Sequence, residues 1–407
     1  MSLLPVADAQ ARLLDKAKPV AQTERVPLLE ATRRVLAVDL TARLTQPPFN
    51  ASAMDGYALR AEDAGEPGAI LKVIGTSAAG YAFDGAIGKG EAVRIFTGAP
   101  IPSGADSILL QEDAEKLDDA IRTTYSVRQG QHVRPLGQDF TEGEAVLTAG
   151  TMLDFSRLTV ASAMNHAELT VLRRPLVAVL ATGDELVAPG TEPGPAQIIA
   201  SNTFGIAALI REAGGELLDL GIVPDDKAAI AAAIDRARSA KADVIVTLGG
   251  ASVGDRDLVQ ATLIEAGMQL DFWRIAMRPG KPLMVGNFGD TYVLGLPGNP
   301  VSSLVCGLLF LEPLVRKLAG LSPMKRESTA EAAVVLPAND KRQDYVRARL
   351  TRSSSGALLV EPFGKQDSSM MKIFAHSDCL IIRPPHAPEL PAGMPCPVLL
   401  LRPDLSI

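Results

Sequence analysis

Hydrophobic and polar positions alternate with different periods in successive parts of the chain. Near the N-terminus, apolar residues recur every three or four positions, which predicts an amphipathic helix over residues 6–18 and a short helix over residues 28–35. From residue 56 to about residue 138, short apolar runs separated by glycine and proline are typical of strands and turns. A further strand-like segment precedes a helix that is expected to open at Ser156.

Between residues 175 and 320, apolar runs of strand length alternate with segments of helical period. The runs "LVAVLAT", "LLDLGIV", "DVIVTL" and "YVLGL" each end in a polar turn, and the last helical segment, "VSSLVCGLLFLEPLVRKLAG", is long and apolar. This alternation predicts a parallel sheet with helices on both faces. In such sheets, ligands bind outside the carboxyl ends of the strands.

Beyond residue 322, the apolar runs become short again. Segments such as "YVRARL", "ALLVEPF" and "CLIIRPP" are bounded by turn residues, which predicts a small all-β domain over about residues 324–407. A chain of 407 residues is long enough for two to four domains.

Composition and charge narrow the range of partners. The net charge is −7 and there is no long basic run, which argues against nucleic acid as the main partner but leaves room for an anionic small ligand. The three cysteines form no C-x-x-C pair, which favours a reducing compartment. Without a signal-like segment or a run of membrane-spanning length, we expect a soluble cytoplasmic protein that uses no membrane.

The stretch "TLGGASVGDRD" is the first candidate for chemistry. Gly249, Gly250 and Gly254 allow backbone N–H groups to converge on one point, and Ser252 adds a hydroxyl donor. With Asp257 near the start of the next helix, this pattern favours a phosphate site beside a metal ion. A glycine-rich turn with an aspartate helix cap is the structural alternative.

Basic and acidic residues gather in other turns of the same region. Arg274, Arg278 and Lys281 lie within eight residues and would repel one another unless an anion lies between them; a solvated basic edge is the alternative. Aspartate and glutamate residues follow several predicted strand ends. Their carboxylates would repel nearby phosphates, and a Mg²⁺ ion bound between the two would offset that repulsion. These acids are Asp184, Glu185, Asp225, Asp226, Asp255 and Asp257.

Four further turns complete the candidates. In "GLPGNPVSS", Pro297, Gly298, Asn299 and Pro300 form a stiff loop that suits a rigid site, although an ordinary connection would look the same. Outside the sheet region, Asp55, Thr97 and Asp139 lie in turns that could equally be structural. No pairing of serine or cysteine with histidine supports nucleophilic catalysis.

Taken together, the motifs resemble one family. "PPFNASAMDGYAL", "TGAPIPSGADSILLQED", "ATGDEL", "TLGGASVGDRD", "MRPGKPLMVG" and "GLPGNPVSS" occur in the order and with the spacing of the molybdopterin molybdenumtransferases, the bacterial MoeA family, which is also similar to the C-terminal domain of gephyrin. Six ordered motifs are specific, whereas any one of them would not be. At Arg274 and Arg278 some family members carry lysine.

The resemblance implies a multidomain α/β plus β fold and an elongated homodimer. The expected domains are a helical/β linking domain (1–46 and 139–174), a β-rich domain (47–138), a central doubly wound parallel-sheet molybdopterin-binding domain (175–322) and a C-terminal small β-barrel (323–407). The resemblance places the active cleft between the third domain of one subunit and the second domain of the other.

The implied reaction is the Mg²⁺-dependent insertion of molybdate into adenylylated molybdopterin, with release of AMP. Expected catalytic residues are Asp55, Asp139, Glu185, Asp257 and Lys281, and expected metal ligands are Asp226, Asp257 and Glu185. Expected substrate-binding residues are Thr97, Thr182, Gly183, Gly249, Gly250, Ser252, Gly254, Arg274, Arg278, Pro297, Gly298, Asn299 and Pro300. Asp225 or Asp226 matches one acid of the family, and Asp226 is preferred.

The expected protein partners are the molybdopterin adenylyltransferase and maturation factors of molybdoenzymes. Two other functions are kept as alternatives. One is the adenylyltransferase itself, whose fold is similar to the third domain alone, and the other is a non-catalytic scaffold like gephyrin.

Overall fold

The computed structural model describes residues 3–250 and 258–402. The chain forms two compact units, one of Arg25–Val171 and one of Met1–Glu24 with Leu172–Ile407. The four domain boundaries expected from the sequence stay a prediction.

The described residues fold into short helices and many short strands. The helices are α1 (Val6–Asp15), α2 (Phe155–Ala163), α3 (Asn202–Glu212), α4 (Lys227–Ser239), α5 (Leu258–Glu265), α6 (Pro300–Cys306), α7 (Glu312–Leu318) and α8 (Met371–Ala375). The strands of the first half are β1 (Thr23–Pro27), β2 (Leu40–Thr41), β3 (Ala51–Ser52), β4 (Gly56–Leu59), β5 (Ile70–Ser77), β6 (Glu91–Ile95), β7 (Ser107–Leu110), β8 (Ala114–Lys116), β9 (Ala120–Thr123), β10 (Val133–Arg134), β11 (Ala145–Leu147) and β12 (Glu168–Leu172).

The strands of the second half follow in chain order. They are β13 (Leu176–Thr182), β14 (Leu186–Val187), β15 (Ile198–Ile199), β16 (Glu216–Val223), β17 (Val244–Leu248), β18 (Gln269–Trp273), β19 (Met277–Arg278), β20 (Met284–Phe288), β21 (Thr291–Leu296), β22 (Glu327–Ala332), β23 (Gln343–Arg352), β24 (Leu358–Pro362), β25 (Cys379–Arg383) and β26 (Pro395–Leu400). None of the helices in the described chain has the length and apolarity needed to cross a bilayer.

The Arg25–Val171 unit is built around a six-stranded mixed sheet in the order β7-β4-β6-β5-β9-β8. Apolar cores cover it on both sides, which confirms the predicted β-rich region. The short helix expected over residues 28–35 is only a 3₁₀ turn, Leu28–Glu30. Helix α2 is capped by Asp154, which accepts a 3.0 Å hydrogen bond from Arg157 N–H, and not by Ser156 as expected.

The other unit contains the predicted sheet, with strand order β16-β13-β17-β21-β20-β18. The first four strands are parallel. The inner strands β13, β17 and β21 bury nearly all their apolar side chains on both faces, whereas Ile222 on the outer strand β16 is exposed. Strand β20 is antiparallel to β21, and the outermost strand β18 is antiparallel to β20, so it runs in the same direction as the first four strands. The sequence did not predict this antiparallel edge.

Helices cover both faces of this sheet, as predicted. Helices α1, α3, α6 and α7 pack in one core with the sheet, and α4 and α5 pack in the core of the opposite face. The long apolar helix near the end of the sheet region is continuous but changes to π-helical geometry over Gly307–Leu311.

A closed five-stranded β-barrel follows, in which β23, β24, β22, β26 and β25 pair in a ring. The barrel is tied to the sheet part of the unit by β19, which pairs with β23. A buried ion pair adds to this connection: Arg326 Nε lies 2.7 Å from the carboxylate of Glu312 on α7, and its Nη1 donates to the carbonyls of Leu400 and Leu401.

Candidate functional site

A cavity of about 840 Å³ opens at the carboxyl ends of β13, β17 and β21. This is where a parallel sheet is expected to bind a ligand. Nine of the predicted site residues line it: Thr182, Gly183, Glu185, Gly249, Gly250, Pro297, Gly298, Asn299 and Pro300. The structure therefore brings together three turns that are far apart in the sequence.

Gly249 allows two turns that line the cavity, at the ends of β13 and β17, to lie close together. Its φ of 102° lies in the left-handed region, and a Cβ at this position would come within 2.9 Å of the carbonyl oxygen of Thr182. Thr182 itself is buried, and its hydroxyl has no hydrogen-bond partner among the residues that the structure describes. A buried hydroxyl without a partner is unfavourable, so a polar ligand group would stabilise it.

The proline-rich loop that closes one side of the cavity is anchored by amide side chains. Asn202 Nδ2, at the start of α3, donates a 2.7 Å hydrogen bond to the carbonyl of Gly298. Asn299 Nδ2 donates to Ser368 Oγ at 3.1 Å, in the loop before α8. Ser369 and Met371 also line the cavity, so the barrel part contributes to it, which the sequence did not predict.

Carboxylates lie at the ends of β13 and β16. Asp184 Oδ1 accepts a 3.1 Å hydrogen bond from the backbone N–H of Asp225, and Asp225 and Glu185 line the cavity. Burial and then the negative charges of Asp184 and Glu185 raise the pKa of Asp225. Asp226, which the sequence analysis predicts as a metal ligand, caps α4 by accepting a 2.8 Å hydrogen bond from Ala229 N–H.

Part of the predicted phosphate loop lies outside the described residues. This concerns Ser252, Gly254 and Asp257, together with Asp255. Within residues 3–250 and 258–402, no group of three or more His, Cys, Asp or Glu side chains is arranged to hold a metal ion.

The predicted cationic residues do not line this first cavity. Arg278 is held by Asp344 on β23, with Nε 2.7 Å from Oδ1 and a second bond from Nη2 to Oδ2. The hydrogen bonds to Asp344 are the main reason why the pKa of Arg278 is raised. Arg274 stacks on Trp273, with its guanidinium carbon 4.1 Å from the ring centroid, and Lys281 is exposed.

Arg278 lines a second cavity of about 590 Å³ at the barrel, together with Arg347 and Arg383. Arg347 is 1% exposed and burial lowers its pKa, while Arg383 is 8% exposed and its Nε has no partner in the described chain. The sequence did not reveal these two arginines. Nothing in "YVRARL" separates buried Arg347 from exposed Arg349.

In the Arg25–Val171 unit, Asp55 and Thr97 are brought together. Asp55 Oδ1 accepts hydrogen bonds from the backbone N–H of Thr97 at 2.7 Å and from its hydroxyl at 2.8 Å. These bonds, more than the charge of Arg94, lower the pKa of Asp55. Asp139 is exposed, and its backbone N–H donates to the carbonyl of Gln46 at 3.0 Å.

Three family descriptions match successive parts of the chain. They are the MoeA N-terminal region (domain I and II) over residues 4–164, a probable molybdopterin binding domain over residues 178–317, and the MoeA C-terminal region (domain IV) over residues 329–401.

Curated relatives cover nearly the whole chain. A molybdopterin molybdenumtransferase of Haemophilus influenzae is 35% identical over 96% of this chain and 97% of its own length. Another, of Nostoc, is 37% identical over 79% of this chain and 75% of its own length. Two solved structures of a Pyrococcus horikoshii molybdopterin biosynthesis moeA protein cover 98% of this chain and 99% and 100% of their own, with TM-scores of 0.82 and 0.81 at 30% and 26% identity.

Proposed function

The chain belongs to the molybdopterin molybdenumtransferase (MoeA) family of transferases, and from this premise we propose that it inserts molybdate into adenylylated molybdopterin and releases AMP. The observation that carries the proposal is the cavity at the carboxyl ends of the parallel strands, lined by the turns that resemble the family's motifs.

We propose that this cavity binds the pyrophosphate and pterin of the substrate. The backbone N–H of Gly249 already donates to the carbonyl oxygen of Leu296 at 3.1 Å, so the phosphate donors would be the backbone N–H of Gly250 and the unpartnered hydroxyl of Thr182. The stiff loop from Pro297 to Pro300 would keep the bound substrate in one orientation. Cleavage of a pyrophosphate depends on positioning and charge neutralisation more than on a covalent nucleophile.

The carboxylates beside the cavity fit a hard divalent cation. Their mutual repulsion contributes to the raised pKa of Asp225, and a cation would relieve it. We propose that Glu185 and Asp225 hold Mg²⁺ together with Asp257, and that Asp225 replaces Asp226 in the predicted set of ligands. When bound, Mg²⁺ would neutralise phosphate charge.

For molybdate itself, we propose the second cavity. Arg347 and Arg383 line it, and no carboxylate of the described residues lies within ion-pairing distance of either side chain. An oxyanion would balance their charges, whereas that of Arg278 is already balanced by Asp344. In this proposal Arg347 and Arg383 bind the oxyanion, in place of the predicted cluster of Arg274, Arg278 and Lys281.

Other expectations from the family resemblance are kept as proposals. They are the homodimer, a cleft completed by Asp55, Thr97 and Asp139 of the partner's second domain, and the cytoplasmic location. Binding of the adenylyltransferase and of maturation factors is likewise proposed on the resemblance alone.

The test is to incubate the purified protein with adenylylated molybdopterin, Mg²⁺ and molybdate. AMP release with molybdenum bound to the pterin is expected. Synthesis of the adenylylate from ATP and free molybdopterin would instead identify an adenylyltransferase, and no turnover in either assay would favour a scaffold.

A matched pair of variants tests the acid at the cavity. Asp225→Asn should lower AMP release by about 10- to 100-fold, the range typical for loss of a group that supports a metal site. Asp226→Asn should keep wild-type activity, because asparagine caps a helix as well as aspartate does. Loss of activity in Asp226→Asn alone would restore the original assignment.

A further inference from the structure

Arg94 lies beside the Asp55 turn and has no ion-pair partner among the described residues. It is on β6, directly opposite Tyr57 on β4. Its guanidinium carbon lies 5.1 Å from the ring centroid of Tyr57 and 4.9 Å from that of Phe96. These stacking contacts fix the plane of the guanidinium group.

The hydrogen bonds of Arg94 lead to the peptide groups on both sides of Gly56, the first of which links Gly56 to Asp55. Nη1 donates to the carbonyl oxygen of Gly56 at 2.9 Å, and Nη2 donates to Gln111 Oε1 at 2.6 Å. The backbone N–H of Gln111 in turn donates to the carbonyl oxygen of Asp55 at 3.1 Å. Two consecutive carbonyls are therefore held, one by Arg94 directly and the other by a residue that Arg94 holds.

The backbone at this turn has little room to move. A Cβ at Gly56 would come within 1.9 Å of the carbonyl oxygen of Leu109, so the turn packs directly against the neighbouring strand. The side chain of Asp55 is fixed by Thr97 through Oδ1. The charge of Arg94 adds to the effect of Thr97 in lowering the pKa of Asp55.

We propose that Arg94 is a positioning residue for Asp55: its guanidinium group fixes the Asp55–Gly56 backbone, so that the Asp55 carboxylate is held in one orientation toward the substrate. This inference rests on the proposed function, in which Asp55 takes part in the reaction. Arg94 acts through Asp55 and does not itself contact the substrate.

The test compares Arg94→Gln and Arg94→Lys with Arg122→Gln as the matched control. Arg122 lies on β9 of the same sheet and makes an exposed ion pair with Glu115. Arg94→Gln should lower kcat for AMP release by about 10- to 100-fold with KM unchanged, because misplacing a reacting group by about 1 Å has an effect of that size. Arg94→Lys, which keeps the charge but not the planar fork, should lie between Arg94→Gln and the wild type.

Hydrogen exchange of the full chain supplies a readout that is independent of activity. Peptides covering residues 51–58 should exchange faster in Arg94→Gln, but not in Arg122→Gln. Unchanged kcat and exchange in Arg94→Gln, or a rise in KM alone, would overturn the proposal.

The assay also separates this inference from the proposed function. If the wild-type protein releases no AMP, or if Asp55→Asn releases AMP at the wild-type rate, the role of Asp55 is wrong, and the positioning role of Arg94 is then overturned with it. If Asp55→Asn is inactive while Arg94→Gln is fully active, only the inference about Arg94 fails.

Discussion

At the scale of single residues, Thr97 controls the ionisation of Asp55. It donates two hydrogen bonds to one carboxylate oxygen, and these lower the pKa of Asp55. A lowered pKa means that the carboxylate stays charged to a lower pH than an ordinary aspartate. The stabilisation from these bonds is present above the ordinary pKa and is lost as the pH falls through the pKa of the folded state.

Thr97→Val removes the hydroxyl donor and should therefore raise the pKa of Asp55. If ionised Asp55 is needed for turnover, the acid limb of the kcat profile against pH should move to higher pH. Thr97→Ser keeps the hydroxyl and should leave the limb in place. An acid limb that stays fixed in Thr97→Val would show that ionisation of Asp55 does not limit the reaction.

At the scale of elements, the end of β17 shows how a strand creates a binding surface. The strand is buried up to Leu248, and the chain then turns through Gly249 with a positive φ against Thr182. Gly249→Ala adds both backbone strain and a steric clash, so it should destabilise the fold by about 1–3 kcal/mol and lower AMP release.

Gly267→Ala is the matched control for this prediction. Gly267 has a similar φ of 96°, but nothing lies within 4 Å of a Cβ there, and it does not line the cavity. It should lose a comparable or smaller amount of stability in urea unfolding and keep its activity. Equal activity in the two variants would mean that the Gly249 turn does not shape the substrate site.

At the scale of the whole molecule, the ion pair between Glu312 and Arg326 joins helix α7 to the start of the barrel. The side chains are only 2% and 7% exposed, so removing one partner leaves an uncompensated buried charge. Glu312→Gln should therefore lower the free energy of unfolding by about 3–5 kcal/mol.

Glu265→Gln provides the comparison in the same denaturation experiment. Glu265 pairs with Lys227 on the surface, where the two side chains are 63% and 51% exposed, and its loss should change stability by less than about 1 kcal/mol. A similar small change in Glu312→Gln would show that the buried pair does not hold the barrel to the sheet.

The sequence predicted the elements whose period is strong and missed those whose period is weak. The parallel strands and their helices were recognised because each is a clear apolar run or helical stripe. Strand β20, "MVGNF", was missed because glycine and asparagine interrupt a short run. The expected second helix became a 3₁₀ turn at Leu28–Glu30.

The candidate site was predicted in the same uneven way. Turns at strand ends converge because the strands are parallel, so nine lining residues followed from the sequence. Sequence spacing could not tell Asp225 from Asp226, since adjacent residues differ only in where the fold points them. One lines the cavity and the other caps α4.

By itself, the sequence determined the class of the fold, the turns that meet at the sheet edge and the family, because these depend on local period and on ordered motifs. The tertiary structure alone decided the partner of each charge. Arg278 is paired with Asp344, 66 residues away, and Arg347 is buried while Arg349 is exposed. Burial and distant neighbours set the free energy of a charge, and neither can be read from its position in the chain.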